Sequence, residues 1–180
     1  MTMVAFLLLT LFVSTERQEP RFTDYPVRDV FRGKPTPPRL VKPWARMYRT
    51  CIREGVSKGY GVEHGKREGP GPNFAGHYFV ITWGCGAGCA RMAIVDALTG
   101  TVYPPPLSID KRDPLALPHF GFVGHASPEF ELNSRLFVME TCTWPDPPTR
   151  NEILPCATSY FIIEPSGFKL VKRVDWKFRR

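Results

Sequence analysis

Short apolar runs, each bounded by a cysteine, a glycine or a turn, dominate the chain from Asn73 onward, and their order occurs twice. In the first copy, Phe79-Val80-Ile81-Thr82-Trp83 leads to Cys85 and Cys89. Ala93-Ile94-Val95-Asp96, a Thr99-Gly100 turn and Thr101-Val102-Tyr103 come next. In the second, Phe137-Val138-Met139-Glu140-Thr141 leads to Cys142 and Cys156. Phe161-Ile162-Ile163-Glu164, a Ser166-Gly167 turn and Phe168-Lys169-Leu170-Val171 come next. Runs of this length, rich in β-branched and aromatic residues and closed by glycine turns, predict strands. The repeat predicts two copies of one supersecondary unit, over 73–103 and 128–173.

The pattern before Asn73 is different. Trp44, Met47, Tyr48, Cys51, Ile52 and Val56 recur at helical spacing. Pro43 suits a first helical turn and Gly59 a stop, so one helix is expected over 44–58, with Arg46, Arg49 and Arg53 on its other side. Residues 16–43 hold six prolines among scattered charges. They read as an extended arm laid on the surface, with Val27, Val30, Phe31 and Leu40 as anchors. Residues 59–72 are punctuated by glycine and proline and read as a loop. Prolines between 104 and 127 exclude long regular strands there. Val4–Val13 is an apolar run of ten residues, too short to span a bilayer and suited to a secretory signal over 1–15. No Cys lies close enough after it for a lipid anchor.

Each copy of the β unit resembles a blade of a β-propeller. Ser127-Pro128 with Asn133-Ser134-Arg135-Leu136-Phe137-Val138 is similar to a blade-opening strand, and Asp96-Ala97-Leu98-Thr99-Gly100-Thr101-Val102 to the hairpin between later strands. Two blades cannot close a ring, because propellers need at least four. The expected fold is therefore mainly β: two blade-like antiparallel sheets packed as a half-propeller or sandwich, with one N-terminal helix over an exposed edge or face. A six- or seven-strand sandwich of another topology is the alternative. Composition agrees, since 19 prolines in 180 residues disfavour a helical chain and 43% hydrophobic residues suffice for one core.

Five cysteines allow fifteen arrangements of two bridges and one thiol. The repeat narrows these, because in each copy one cysteine closes the first strand and the other opens the second. Cys85–Cys89 and Cys142–Cys156 are the natural pairs, with Cys51 left over, a pattern suited to an oxidising compartment. Charge is uneven. Residues 16–68 carry 13 basic and 7 acidic groups, 69–166 carry 5 and 9, and 167–180 carry 6 and 1. The basic arm, helix and C-terminal Lys169–Arg180 tail favour an anionic envelope surface or acidic protein. No aromatic-basic platform for nucleic acid is evident.

Asn73-Phe74-Ala75-Gly76-His77-Tyr78, Trp83-Gly84-Cys85-Gly86-Ala87-Gly88-Cys89 and Asp96-Ala97-Leu98-Thr99-Gly100-Thr101-Val102-Tyr103 together resemble a group of small exported bacterial proteins sharing these three motifs. The resemblance covers roughly 24–173 and implies export. It implies no activity and no catalytic residues. The chain departs from the group's pattern in its longer glycine loop at 59–72 and in Cys51.

The function expected is that of a non-catalytic binding protein of the bacterial envelope, periplasmic or secreted, similar to inhibitors or immunity proteins that act on a protein partner. That likeness is one of size and architecture alone. Gly86, Ala87 and Gly88 in one hairpin loop and Trp144, Asp146 and Arg150 in the other are the candidate contact residues. The competing expectation is a thiol-dependent enzyme or redox protein, with Cys85 or Cys89 as the reactive group and His77 as the cationic neighbour that lowers its pKa. Four cysteines with His77, His119 and His125 could be counted toward zinc, but the spacing is wrong. Asp110, Asp113, Glu129 and Glu131 match no calcium loop. No cofactor, metal, nucleic acid or membrane span is expected.

Overall fold

The computed structural model describes residues 18–58, 71–86, 89–107, 114, 115, 117, 128–142 and 153–179, with backbone alone at 86, 89 and 179. The chain is mainly β. A short 3-10 turn, Phe22–Asp24, lies in the arm, and helices α1 (Pro43–Met47) and α2 (Arg49–Lys58) precede all strands. Strands β1 (Tyr78–Gly86), β2 (Cys89–Asp96) and β3 (Val102–Tyr103) form one antiparallel sheet in that order. Strands β4 (Glu129–Phe130), β5 (Leu136–Cys142), β6 (Ile153–Glu164) and β7 (Gly167–Arg179) form a second antiparallel sheet, also in chain order.

Period-two alternation assigns each strand two faces. Tyr78 and Val80 of β1 with Met92 and Ile94 of β2 meet Phe137, Met139, Phe161 and Ile163 of the second sheet in one buried cluster. The sheets therefore pack face to face through these residues. The opposite face of the first sheet, with Phe79, Ile81, Ala93 and Val95, is covered by Ala45, Ile52 and Val56 of the helices. The opposite face of the second sheet, with Leu136, Val138 and Tyr160, is covered by Phe22 and Tyr25 of the arm. Apolar groups thus cover both faces of both sheets, in the order helix, sheet, sheet, arm.

The segment Asn73–Tyr78 joins these layers. Phe74 is fully buried, and its ring lies 5.3 Å from that of Phe137, 6.0 Å from Phe130 and 6.2 Å from Phe168. The Asn73 side-chain amide pairs with Val80, donating to its carbonyl at 3.1 Å and accepting its N–H at 2.7 Å. That side chain fills a place on the β1 edge where a neighbouring strand would sit. Ala75 and Gly76 donate to the carbonyls of Glu131 and Leu132, tying the start of β1 to the start of β5.

The arm links the same parts. Val27 donates to the Asn133 carbonyl, Phe31 to Gly76, Thr36 to Ala97 and Arg39 to Gly100. The buried Ser134 hydroxyl reaches the carbonyls of Phe22 (2.7 Å) and Tyr25 (3.2 Å) and accepts the Leu136 N–H at 3.2 Å. Val27 packs on the intersheet core, and Phe31 and Leu40 on the helix layer. Val30 is 38% exposed and anchors nothing.

The expected single helix is broken at Tyr48, whose backbone leaves helical geometry (φ −102°, ψ 24°). There the Tyr48 ring meets Trp83 at 5.5 Å, and the Arg91 guanidinium lies 4.9 Å from the Tyr48 ring centroid. Packing of this aromatic pair competes with continuous helix, as tertiary contacts often outweigh propensity. Leu115 and Leu117 are buried; the Met92 N–H donates to the Leu115 carbonyl and the Leu117 N–H to the Ala90 carbonyl. These two residues of the connector therefore line β2.

At Gly100 φ is +71°, and a Cβ there would collide with the Pro37 carbonyl oxygen. Gly100→Ala is expected to lower stability by about 1–3 kcal/mol through backbone strain and arm displacement. Asn73→Ala should cost a similar ~1–3 kcal/mol by orphaning the Val80 amide and carbonyl. Urea unfolding midpoints check both, and wild-type midpoints would mean that neither contact matters.

Candidate functional site

The strands β1 and β5 both leave the Asn73–Tyr78 junction, so their cysteine-bearing hairpin ends lie at the far end of the sheets. In the second sheet Cys142 and Cys156 are direct cross-strand partners and form a disulfide, with Cα atoms 4.0 Å apart. The loop closed spans 14 positions, for which chain entropy gives about 3 kcal/mol. In the first sheet the register shifts between Gly84 and Gly86, which leaves Cys85 as an inserted residue. Cys85 is disulfide-bonded. The side chain of its expected partner, Cys89, falls outside the described residues, although its backbone pairs with Gly86. Cys51 on α2 is a free thiol.

A depression of about 260 Å³ adjoins the Cys142–Cys156 bridge, where β6 and β7 run past the end of β5. Pro155 sits in this stretch. A proline cannot donate to a ladder, and the β5–β6 pairing ends one residue away, at Cys142–Cys156. Arg173, Asp175 and Lys177 of β7 alternate along one side of the depression, and the Trp176 ring lies on the other face of the sheet. Arg173 Nε donates to Asp175 Oδ1 at 2.9 Å, and both groups are exposed. The Trp176 indole N–H donates to Thr158 Oγ1 at 3.1 Å, which holds the ring against the sheet. The result is a rigid, stapled floor with long cationic side chains above it, suited to holding an anionic, partly apolar segment.

The thiol-site expectation fails on geometry. His77 immediately precedes β1, whereas Cys85 lies near the other end of that strand. Eight residues of extended chain separate them by on the order of 25 Å. His77 instead lies 4.3 Å from the Tyr78 ring, tilted by 35°, and its Nε2 lies 3.9 Å from Asp96 Oδ1. Asp96 in turn holds the β2–β3 turn, accepting the Leu98 N–H at 2.8 Å and the Thr99 hydroxyl at 2.8 Å. Burial, reinforced by the Asp96 charge and by Tyr103, pushes the Tyr78 phenol up to about 12. A phenol held neutral beside a turn-forming carboxylate makes this cluster a packed junction. Neither the imidazole nor the carboxylate reaches a sulfur.

Of the expected contact residues, only the backbone of Gly86 lies within the described residues, paired in β1. Ala87, Gly88, Trp144, Asp146 and Arg150 lie outside them, as do Asp110, Asp113, His119 and His125. Glu129 starts β4, and the Glu131 carbonyl accepts from Ala75. No cluster of metal-ligating side chains occurs among the described residues. Reading Lys169–Arg180 as a tail missed Arg173, Trp176 and Lys177, since β7 extends to Arg179. The signal was present in Val174, Trp176 and Phe178, which alternate at strand period.

No protein-family model, curated protein or solved structure matches this chain. Function is therefore argued from these residues.

Thiol titration of the unreduced, denatured protein is expected to find one reactive group per chain, Cys51, rising to five on reduction. Three free thiols before reduction would show that only one bridge forms. The double variant Cys142→Ala, Cys156→Ala should unfold with about 3 kcal/mol less stability.

Proposed function

We propose that this chain is an exported, disulfide-stapled β domain that binds a protein partner in the bacterial envelope, as an inhibitor or immunity-type protein, without catalysing a reaction. The observation that carries this reading is the stapled end of the second sheet. There Arg173, Trp176 and Lys177 border a depression of about 260 Å³ on a floor held in register by Cys142–Cys156. Such a surface binds by presenting rigid, pre-positioned groups, which limits the ordering entropy lost on association.

Several further observations support it. The disulfide accords with an oxidising compartment, and the apolar run Val4–Val13 with export. Among the described residues no helix is long and apolar enough to cross a membrane. The groups with the best claim to chemistry are occupied elsewhere, with Cys142, Cys156 and Cys85 in disulfides and His77 beside Tyr78. The motif-sharing exported proteins that the sequence resembles fit the same reading.

When produced with its leader in a Gram-negative host, the protein is expected in the periplasm with a mature N-terminus near Glu16. Retention in the cytoplasm with Met1 intact would overturn export. Affinity capture from periplasmic extract should recover a stoichiometric partner. Trp176→Ala or Trp144→Ala should weaken capture by about tenfold or more, as expected for aromatic anchors. Equal capture by all forms would remove this end of the molecule as the binding surface.

A further inference from the structure

We propose that the outer edge of β7 accepts an extended, acidic segment of the partner as an additional strand. This inference rests on the binding reading above and names the chemistry of what is bound.

The sheet edges of the molecule are not treated alike. The first edge, β4, is two residues long. β3 is equally short, and the arm bridges to the adjacent Thr101 through Arg39. On β1, the edge facing away from β2 is occupied at Val80 by the Asn73 amide. These are the usual devices by which a protein guards unpaired backbone groups. Among the described residues, β7 has none of these three devices beyond its bulge at Val171. It is thirteen residues long, contains no proline and pairs only with β6 among the described strands. Leu170 and Val171 on it are 51% and 40% exposed.

Charge selects the guest. β7 carries five basic residues and one acidic residue. Like charges placed opposite one another across a strand pair are unfavourable, so two copies of this edge repel. An acidic strand gains at the same positions. Lysine along an edge can also serve only to prevent aggregation. Here, however, the cations border a depression that also contains Pro155 and Ala157, so a guest would gain apolar contact as well as charge. Recognition by strand addition has this division of labour, with backbone hydrogen bonds supplying affinity and alternate side chains supplying choice.

The site has a defined length. Between Tyr160 and Phe161 the register shifts, because Tyr160 pairs with Lys172 and Phe161 with Leu170, leaving Val171 as an inserted residue. A bulge bends its strand and interrupts a regular ladder. The straight edge therefore runs from the bulge to the depression, over Arg173–Phe178. A guest of about six residues fits it, with acidic side chains at alternate positions facing Arg173 and Lys177 on one side of the strand.

The test uses the oxidised mature protein and a blocked eight-residue peptide alternating Glu with Val, with binding read by Trp fluorescence and calorimetry. The peptide is expected to bind, more weakly as salt rises. Replacing its Glu residues with Lys, or N-methylating alternate amides so that one edge cannot donate, should abolish binding. Arg173→Glu with Lys177→Glu should weaken it by about tenfold or more, with an unchanged thermal melt confirming the fold. Binding that survives N-methylation of each set of alternate amides in turn would reduce the effect to charge alone and overturn strand addition. Equal binding of the Lys peptide, tighter binding to phosphatidylglycerol vesicles, or dimerisation through β7 would overturn the acidic-strand guest. A partner captured from the periplasm that binds the double charge variant as well as wild type would overturn this inference and leave the binding reading intact.

Discussion

Burial of Phe74 between the two sheets is the constraint on which the rest of the structure depends. Its ring contacts aromatic groups from β4, β5 and β7, and it can do so only because the chain reverses sharply between Asn73 and Tyr78. Ala75 and Gly76 both adopt positive φ there, at 44° and 79°. Their N–H groups then meet the carbonyls just before β5, and the Gly76 carbonyl receives the arm at Phe31. Backbone hydrogen bonds in this region serve three segments that a sheet alone would leave unconnected. Packing, turn conformation and the course of the arm are therefore one problem with one solution.

The two copies of the repeated hairpin use the same device with different geometry. In the second, the cysteines are opposed and the strands remain in register, so the bridge closes a regular end. In the first, Cys85 occupies an inserted position, so its strand is locally bent. The two hairpins are also continued differently. The third strand of the first copy is two residues long and is extended by the connector at Leu115 and Leu117, whereas that of the second copy runs for thirteen residues. The first copy is enclosed by helices and arm. The second projects a long basic edge.

Several chemically suggestive residues are committed to hydrogen bonds within the fold. Asp96 uses its acceptor capacity on the turn that bears Gly100, and Ser134 commits its hydroxyl to the arm. His77 lies beside Tyr78, at the opposite end of β1 from the cysteine with which its sequence position suggests a pairing. Unsatisfied polar groups inside a protein are costly, so a residue type that is reactive in a cleft becomes structural when its partners are supplied by the backbone.

Much of the architecture was legible in the sequence. The doubled order of strand, cysteine and glycine turn led to two antiparallel sheets, the Cys142–Cys156 bridge and a helical layer over one face, because alternation and spacing are local properties. The arm's prolines and the anchors Val27, Phe31 and Leu40 were readable for the same reason. Phe22, Tyr25, Leu115 and Leu117 were not, since an isolated apolar residue in irregular chain carries no period that tells whether it will be covered. Nor was the break at Tyr48, which depends on Trp83 and Arg91 from another element. The sequence by itself determined the order of the main strands and the cysteine pair that closes the second sheet. Tertiary structure alone decided which edges stayed open and what covers each face of the sheets. Those are relations between segments remote along the chain, and they exist only after the two sheets have packed around Phe74.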